Sequence, residues 1–251
     1  MNQRELKEHV AGTYHSIRLG IAGVAIALPF LLWIGGRVRA GLPLQQSMSA
    51  YYHSGNGAMR DVFVGVLCAV GIVLFLYKGF THLENHALNL AGLFLVAVAM
   101  FPTELDAAGA ERSVSVHGTS AVLFFLCIAY VCLFRAEDTV AEIRNERRQR
   151  WYRGTYKSMG VLMIVFPLSA VLLSLLLQPR SEGRATIFFA EMAAVLVFGA
   201  YWILKSYEIR QSSVDRHAIE GKLCTRPHGP RDMFKQIPVE RDATAAADAS
   251  T

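Results

Sequence analysis

Six long apolar runs restrict the fold of this chain more than any other feature. The runs cover residues 19–35, 62–77, 87–101, 118–134, 159–177 and 185–204, and polar segments that hold nearly all the charge separate them. A membrane-spanning helix needs about 20 mainly apolar residues, and flanking residues can complete the shorter runs. The pattern predicts an all-α, polytopic membrane protein with a bundle of six transmembrane helices. It excludes a soluble two-domain protein, a disordered chain and a disulfide scaffold.

The distribution of positive charge predicts the orientation of the six spans. If the N-terminus is cytoplasmic, 19 of the 25 Lys and Arg residues lie on the cytoplasmic side. Because Lys and Arg are enriched in cytoplasmic loops, we expect both termini inside and the protein in the inner membrane of a bacterium. The net charge of +5 is then a cytoplasmic excess. With no nucleic-acid-binding module visible, the sequence predicts no nucleic-acid partner.

The chain divides into three segments at the limits of the apolar runs. Residues 1–18 are a cytoplasmic N-terminal segment, 19–205 are the membrane domain, and 206–251 are a cytoplasmic tail. The end of the tail, 243–251, contains only Ala, Asp, Ser and Thr, so we expect it to be disordered. A cleaved signal peptide is an alternative for the first run, because its leader is basic and 38–40 resembles a cleavage site. The length of the run and the spans that follow favour a retained helix.

Several unusual polar residues converge on the outer half of the membrane when they are placed by depth. Glu191 is the only acidic residue inside an apolar run. It lies about 9 Å below the outer end of that run, given the rise of an α-helix. A carboxyl group at that depth is costly without a partner, which makes it a functional candidate. Ser49, His53, Asp61 and His117 map to the same outer region.

These five residues predict a polar cavity that opens outward. Histidine and carboxylate side chains suit Zn²⁺, so one hypothesis is a metal-assisted hydrolase that acts on a lipid or amphiphile. His53, Asp61, His117 and Glu191 would hold the metal, and Ser49, Asp61 and Glu191 would serve catalysis. The alternative is a non-enzymatic transporter, receptor or assembly factor that binds a proton, an ion or a head group in the same cavity. A third is a structural membrane protein whose basic loop binds a partner. Each residue could also act only in structure, as a helix cap or an interfacial hydrogen bond.

Two further polar groups lie on the expected cytoplasmic side. The loop after the second run contains Lys78, His82, Glu84 and His86. We interpret it as a solvated turn, because it is short and interfacial. Lys205 ends the sixth run, and we expect its side chain to snorkel towards the head groups.

Four short motifs carry a resemblance to known families. The strings SMSAYYH, RDVFVG, YKGF and AMFPTE resemble a family of uncharacterised bacterial six-span membrane proteins, over residues 47–205. More distantly, Ser49-x-x-x-His53 followed by Asp61 is similar to the CREST superfamily, which includes alkaline ceramidases and adiponectin-receptor-like proteins. That resemblance implies a zinc site built from a serine, an aspartate and three histidines. The HxxxH pair of that superfamily is absent from the last span here, so His117 or Glu191 would complete the ligand set.

Overall fold

The computed structural model describes residues 2–54, 57–102, 115–141, 143, 145–176, 185–212 and 215. Within them the regular secondary structure is helical. The helices are α1 (Gln3–Ala40), α2 (Ala58–Leu76), α3 (His82–Met100), α4 (Val116–Tyr130), α5 (Ala136–Val140), α6 (Glu146–Leu176) and α7 (Thr186–Ser212). One turn of 3₁₀-helix lies at Ser49–Tyr52, and one π-helical segment, Val131–Arg135, joins α4 to α5.

Six of these helices are long and apolar enough to cross a membrane, which confirms the number of spans expected from the sequence. They are α1, α2, α3, α6, α7 and the continuous segment formed by α4, the π-helical segment and α5. Large apolar side chains such as Ile34, Leu76 and Leu172 are exposed on the outside of the bundle. A soluble protein rarely exposes so much apolar surface, so this chain is an integral membrane protein.

The six spans pack in chain order as a closed ring. Each span contacts the next along the chain, and α7 packs against α1 to close the ring. Two glycines allow a close approach between α2 and α3. A Cβ atom on Gly71 would lie 2.9 Å from the carbonyl oxygen of Gly92, so neither position accommodates a side chain. The centre is filled with apolar side chains, including Leu28, Leu74 and Phe198.

An even number of spans brings the start of α1 and the end of α7 to the same end of the bundle. We call this the terminal end; it contains Arg18, Tyr77, Thr139, Tyr156 and Lys205. The opposite end is the distal end; it contains the described loop residues 41–54, the N-terminal turns of α2, α4 and α7, and the C-terminal turn of α3. The expected positions of the two ends, cytoplasmic and outside, stay a prediction. α1 begins at Gln3, so residues 3–18 are helical and continuous with the first span, and their cytoplasmic position stays a prediction. Residues 243–251 lie outside the described part of the chain.

Candidate functional site

The distal end is organised by the loop that follows α1. α1 ends where Gly41 adopts a φ of 63°, a left-handed conformation that favours glycine. The loop then folds back over α1, with Tyr51 fully buried against Gly36 and its ring centroid 6.1 Å from that of Phe188. Burial raises the pKa of Tyr51, so its hydroxyl stays protonated. This tyrosine fixes the loop between the first and last spans.

Two hydrogen bonds join the same loop to the start of α7. The backbone N–H of Phe188 donates to the carbonyl oxygen of Gln46 at 2.8 Å, which satisfies one of the unpaired donors of the first helical turn. In the other direction, the backbone N–H of Met48 donates to Oε2 of Glu191 at 2.6 Å. Glu191 is partly buried in the second turn of α7. The position of Glu191 inside the apolar run therefore has a structural explanation. Its carboxylate binds the backbone of a loop that covers the end of the bundle.

Ser49 and His53 lie at the two ends of the 3₁₀ turn. Ser49 is buried, and its Oγ lies 3.1 Å from Oγ of Ser47. His53 ends the turn with an exposed side chain, and its ring meets that of Tyr52 edge-on at 5.0 Å. The two side chains therefore differ in burial despite their i, i+4 spacing, and their role in one site stays a prediction.

His117 is buried in the first turn of α4 and binds the end of α3. Its Nδ1 lies 3.0 Å from the carbonyl oxygen of Val98 and 3.1 Å from that of Phe101. The ring also stacks on Phe63 of α2, with the centroids 6.4 Å apart. Because carbonyl oxygens only accept, Nδ1 carries the proton and Nε2 is the ring's acceptor. The imidazole thus links three helices through one hydrogen-bonded nitrogen and one ring face.

Asp61 lies in the first turn of α2 and lines a groove at the distal end. The side chain is 73% exposed, and Oδ1 accepts a hydrogen bond of 3.3 Å from Nε of Arg60. The groove has a volume of about 390 Å³ and opens between the 3₁₀ turn, α2 and α3. Tyr52, Arg60 and Asp61 supply its polar groups, and Val64, Gly65, Ala99 and Met100 supply its apolar wall. We call this the distal groove.

The five residues predicted from the sequence all lie at the distal end, but the structure gives them separate contacts. Glu191 binds the loop, His117 binds α3, and Asp61 lines the groove. Among the residues that the structure describes, no three His, Cys, Asp or Glu side chains lie close enough together to hold a metal ion. The zinc site therefore stays a sequence-based prediction.

The terminal end contains a buried cluster that the sequence did not reveal. Lys205 is 2% exposed and Glu208 is fully buried, and Nζ of the lysine donates to Oε2 of the glutamate at 2.9 Å. Thr139 accepts from Nζ of Lys205 and donates to the same carboxylate oxygen at 3.0 Å. Tyr156 donates to it at 3.2 Å. We call these four residues the lysine–glutamate cluster. The prediction that Lys205 snorkels is wrong, because α5, α6 and α7 enclose its ammonium group.

Arg18 is a second buried charge at this end. The side chain is fully buried in α1, and Nη1 donates to the hydroxyl of Tyr77 at 3.0 Å. Nη2 donates to Oδ2 of Asp215 at 2.6 Å, and Nη1 lies 3.4 Å from Oδ1. Both guanidinium nitrogens therefore face the same carboxylate, and this contact ties the chain beyond α7 to the first span.

The loop between α2 and α3 is also more ordered than expected. Glu84 is 4% exposed, and its Oε2 accepts from the backbone N–H of Phe80 at 2.8 Å. Thr81 caps the helix, with its hydroxyl oxygen accepting from the N–H of Glu84 at 3.2 Å. The interpretation as a solvated turn is therefore wrong for Glu84, which is a buried part of the helix start.

A signal for these buried charges exists in the last span. The buried residues Phe198, Trp202, Lys205, Ile209 and Ser212 follow one another at intervals of three or four residues. They therefore share one face of α7, which continues past the end of the apolar run. The periodicity of this face of α7, rather than the end of the apolar run at residue 204, would have placed Lys205 inside the bundle.

One comparison with known proteins gives a match. A family model described as "Protein of unknown function (DUF998)" matches residues 21–205. The match covers four of the six spans completely, together with the part of α1 from Ile21 onward and the part of α7 up to Lys205. No curated protein and no solved structure matches the chain.

Proposed function

The chain belongs to the DUF998 family, whose description names no activity, and we propose that this membrane protein binds the head group of a zwitterionic amphiphile in its distal groove. The anionic part of the head group pairs with Arg60, and its cationic part pairs with Asp61. The acyl chain lies along the apolar wall formed by residues of α2 and α3. This function corresponds to the non-enzymatic alternative, with a lipid or amphiphile as partner.

The observation that carries the proposal is the composition of the groove. One cation and one anion stand side by side at its polar edge, with side chains 50% and 73% exposed. Val64, Gly65, Ala99 and Met100 form the other side. A volume of about 390 Å³ is in the range of small-ligand sites. An exposed ion pair gives its own protein little stability, so both groups can turn to a ligand at little cost.

Retention of lipid by the purified protein tests this function. We expect Arg60→Gln and Asp61→Asn each to reduce the zwitterionic phospholipid that remains bound in an uncharged detergent, as measured by native mass spectrometry. Arg37→Gln is the matched control, because Arg37 is an exposed cation at the same end that does not line the groove. If the Arg60, Asp61 and Arg37 variants all retain the same amount of phospholipid at unchanged thermal stability, the proposal is wrong.

Hydrolysis is a further step that the groove alone does not require. The metal-dependent version needs His53, Asp61, His117 and Glu191 in one coordination sphere. Metal analysis of the purified chain tests it. Stoichiometric zinc that is lost in both His53→Ala and His117→Ala would favour the hydrolase over simple binding.

A further inference from the structure

We propose that Arg18 and Tyr77 form a phosphate-binding site at the terminal end, and that Asp215 occupies this site as an internal ligand. A phosphate group takes the place of the Asp215 carboxylate beside Arg18. This site is independent of the distal groove, which lies at the opposite end of the bundle.

The site is formed by the bundle itself, not by Asp215. Arg18 belongs to α1, and Tyr77 follows the last residue of α2. The ring of Tyr77 is held edge-on by Tyr14 at 5.6 Å and by Trp202 at 5.2 Å. Two rings from the first and last spans therefore fix the hydroxyl that accepts from Arg18. The guanidinium group keeps its position and its charge when the carboxylate leaves.

The carboxylate does not use all of the donors that the site offers. Nε of Arg18 is buried and has no hydrogen-bond partner among the described residues. Burial also raises the pKa of Tyr77, so its hydroxyl stays protonated and can donate to an anion. A phosphate group offers more oxygen acceptors than a carboxylate and matches the planar guanidinium equally well. Because an unpaired buried donor is costly, phosphate fits this site better than Asp215 does.

Asp215 is also placed so that it can leave. It lies three residues beyond Ser212, the last residue of α7. Its side chain is 15% exposed, whereas that of Arg18 is 1% exposed. The Asp215 carboxylate is therefore the partner nearer the surface, whereas Arg18 belongs to the interior of the bundle. Arg18 directly precedes the first apolar run, which places the guanidinium at the level of lipid head groups.

Asp215→Asn is the central variant, and it is studied in the full chain in an uncharged detergent that lacks phosphate. The replacement removes the anion but keeps the size of the side chain, so Arg18 is left buried without its counter-ion. We expect the thermal midpoint to fall and to recover when phosphatidylglycerol is added. We also expect binding of that lipid to strengthen by roughly tenfold or more relative to the wild type, as the loss of a competing charged contact implies.

Two further variants separate this site from general effects of charge. Asp215→Asn combined with Tyr77→Phe removes only a hydroxyl, and we expect it to lose much of the gain in binding. Lys78→Gln changes the adjacent exposed cation and should leave the binding unchanged. Inorganic phosphate distinguishes the two sources of the ligand. Recovery with phosphate alone identifies a soluble phosphate, and recovery with the lipid alone identifies a head group.

The proposal fails if Asp215→Asn binds phosphatidylglycerol and phosphate no better than the wild type does. It also fails if Lys78→Gln lowers binding as much as the loss of the Tyr77 hydroxyl does. Neither result bears on the distal groove, because Arg60 and Asp61 stay unchanged in all of these variants.

Discussion

Charged side chains are exposed at one end of the bundle and buried at the other. At the distal end, Arg60 and Asp61 are exposed and pair with each other. At the terminal end, Arg18, Lys205 and Glu208 are almost completely enclosed. Lys205 and Glu208 pair with each other on α7, and Thr139 and Tyr156 contact them from other helices. Glu191 and Glu208 lie on the same helix, 17 residues or about 25 Å apart. One carboxylate holds a loop and the other is paired with a lysine in a buried cluster.

The difference shows that a charged residue with apolar neighbours along the sequence need not be buried in the structure. A charged residue with polar neighbours can be. Glu191 is conspicuous because apolar residues surround it along the chain, yet it is only partly buried. Glu208 is surrounded by polar residues along the chain, yet it is fully buried. The terminal end should therefore be the part whose stability depends on charge, and the distal end the part whose surface is available to ligands.

The largest expected effect is that of Lys205→Met. The variant leaves the carboxylate of Glu208 buried without a cation, and we expect the free energy of unfolding to fall by about 3–5 kcal/mol. Unfolding in mixed micelles with increasing dodecyl sulfate measures it. The double variant Lys205→Met/Glu208→Gln removes both charges and keeps an acceptor for Thr139 and Tyr156, so it should cost less than the single variant.

A matched control exists at the same end. Lys157 and Glu137 pair at 3.0 Å with side chains 60% and 35% exposed. Lys157→Met should change the free energy of unfolding by about 1 kcal/mol or less, because water screens the pair. A loss as large as that of Lys205→Met would contradict the contrast between buried and exposed charge.

An intermediate effect is expected for Glu191 at the distal end. Glu191→Leu removes the acceptor of the Met48 N–H, a buried backbone donor, and should cost about 1–3 kcal/mol. Glu191→Gln keeps an acceptor oxygen and should cost less. The same unfolding assay compares them. Equal losses would mean that the negative charge itself matters, which would favour an ion-binding role for Glu191.

A smaller effect is expected for His117. His117→Phe keeps a ring against Phe63 but loses the hydrogen bond to the end of α3, and we expect a cost of about 1 kcal/mol. The thermal midpoint in detergent measures the change. A stability gain in the variant would show that the imidazole is retained for a reason other than packing.

The smallest effects are expected for His53→Ala and Asp61→Asn. Both side chains are exposed, so each replacement should change the free energy of unfolding by about 0.5 kcal/mol or less. For Asp61→Asn, unchanged stability combined with reduced lipid retention would separate ligand binding from folding. A large loss of stability would instead make the distal end as dependent on charge as the terminal end.

The candidate site was only partly accessible to sequence reasoning. The position of each residue within or beside an apolar run predicted its depth in the membrane, because depth along a spanning helix follows from residue number. This placed five candidates at one end: Ser49, His53, Asp61, His117 and Glu191. It could not show that His117 contacts backbone carbonyls or that Asp61 faces a groove with Arg60. Those contacts depend on how α2, α3 and α4 pack. The hydrophobic periodicity of a single helix does not determine its packing against other helices.

The sequence by itself determined that six helices cross the membrane and that the chain folds as an all-α bundle, because hydropathy along a run is a local property. The tertiary structure alone decided which partner each buried charge meets. Arg18 meets Asp215 across 197 residues, and Thr139 meets Glu208 across 69. A buried charge is stable only beside its partner. The residues that enclose each charge become neighbours only when the ring of helices closes.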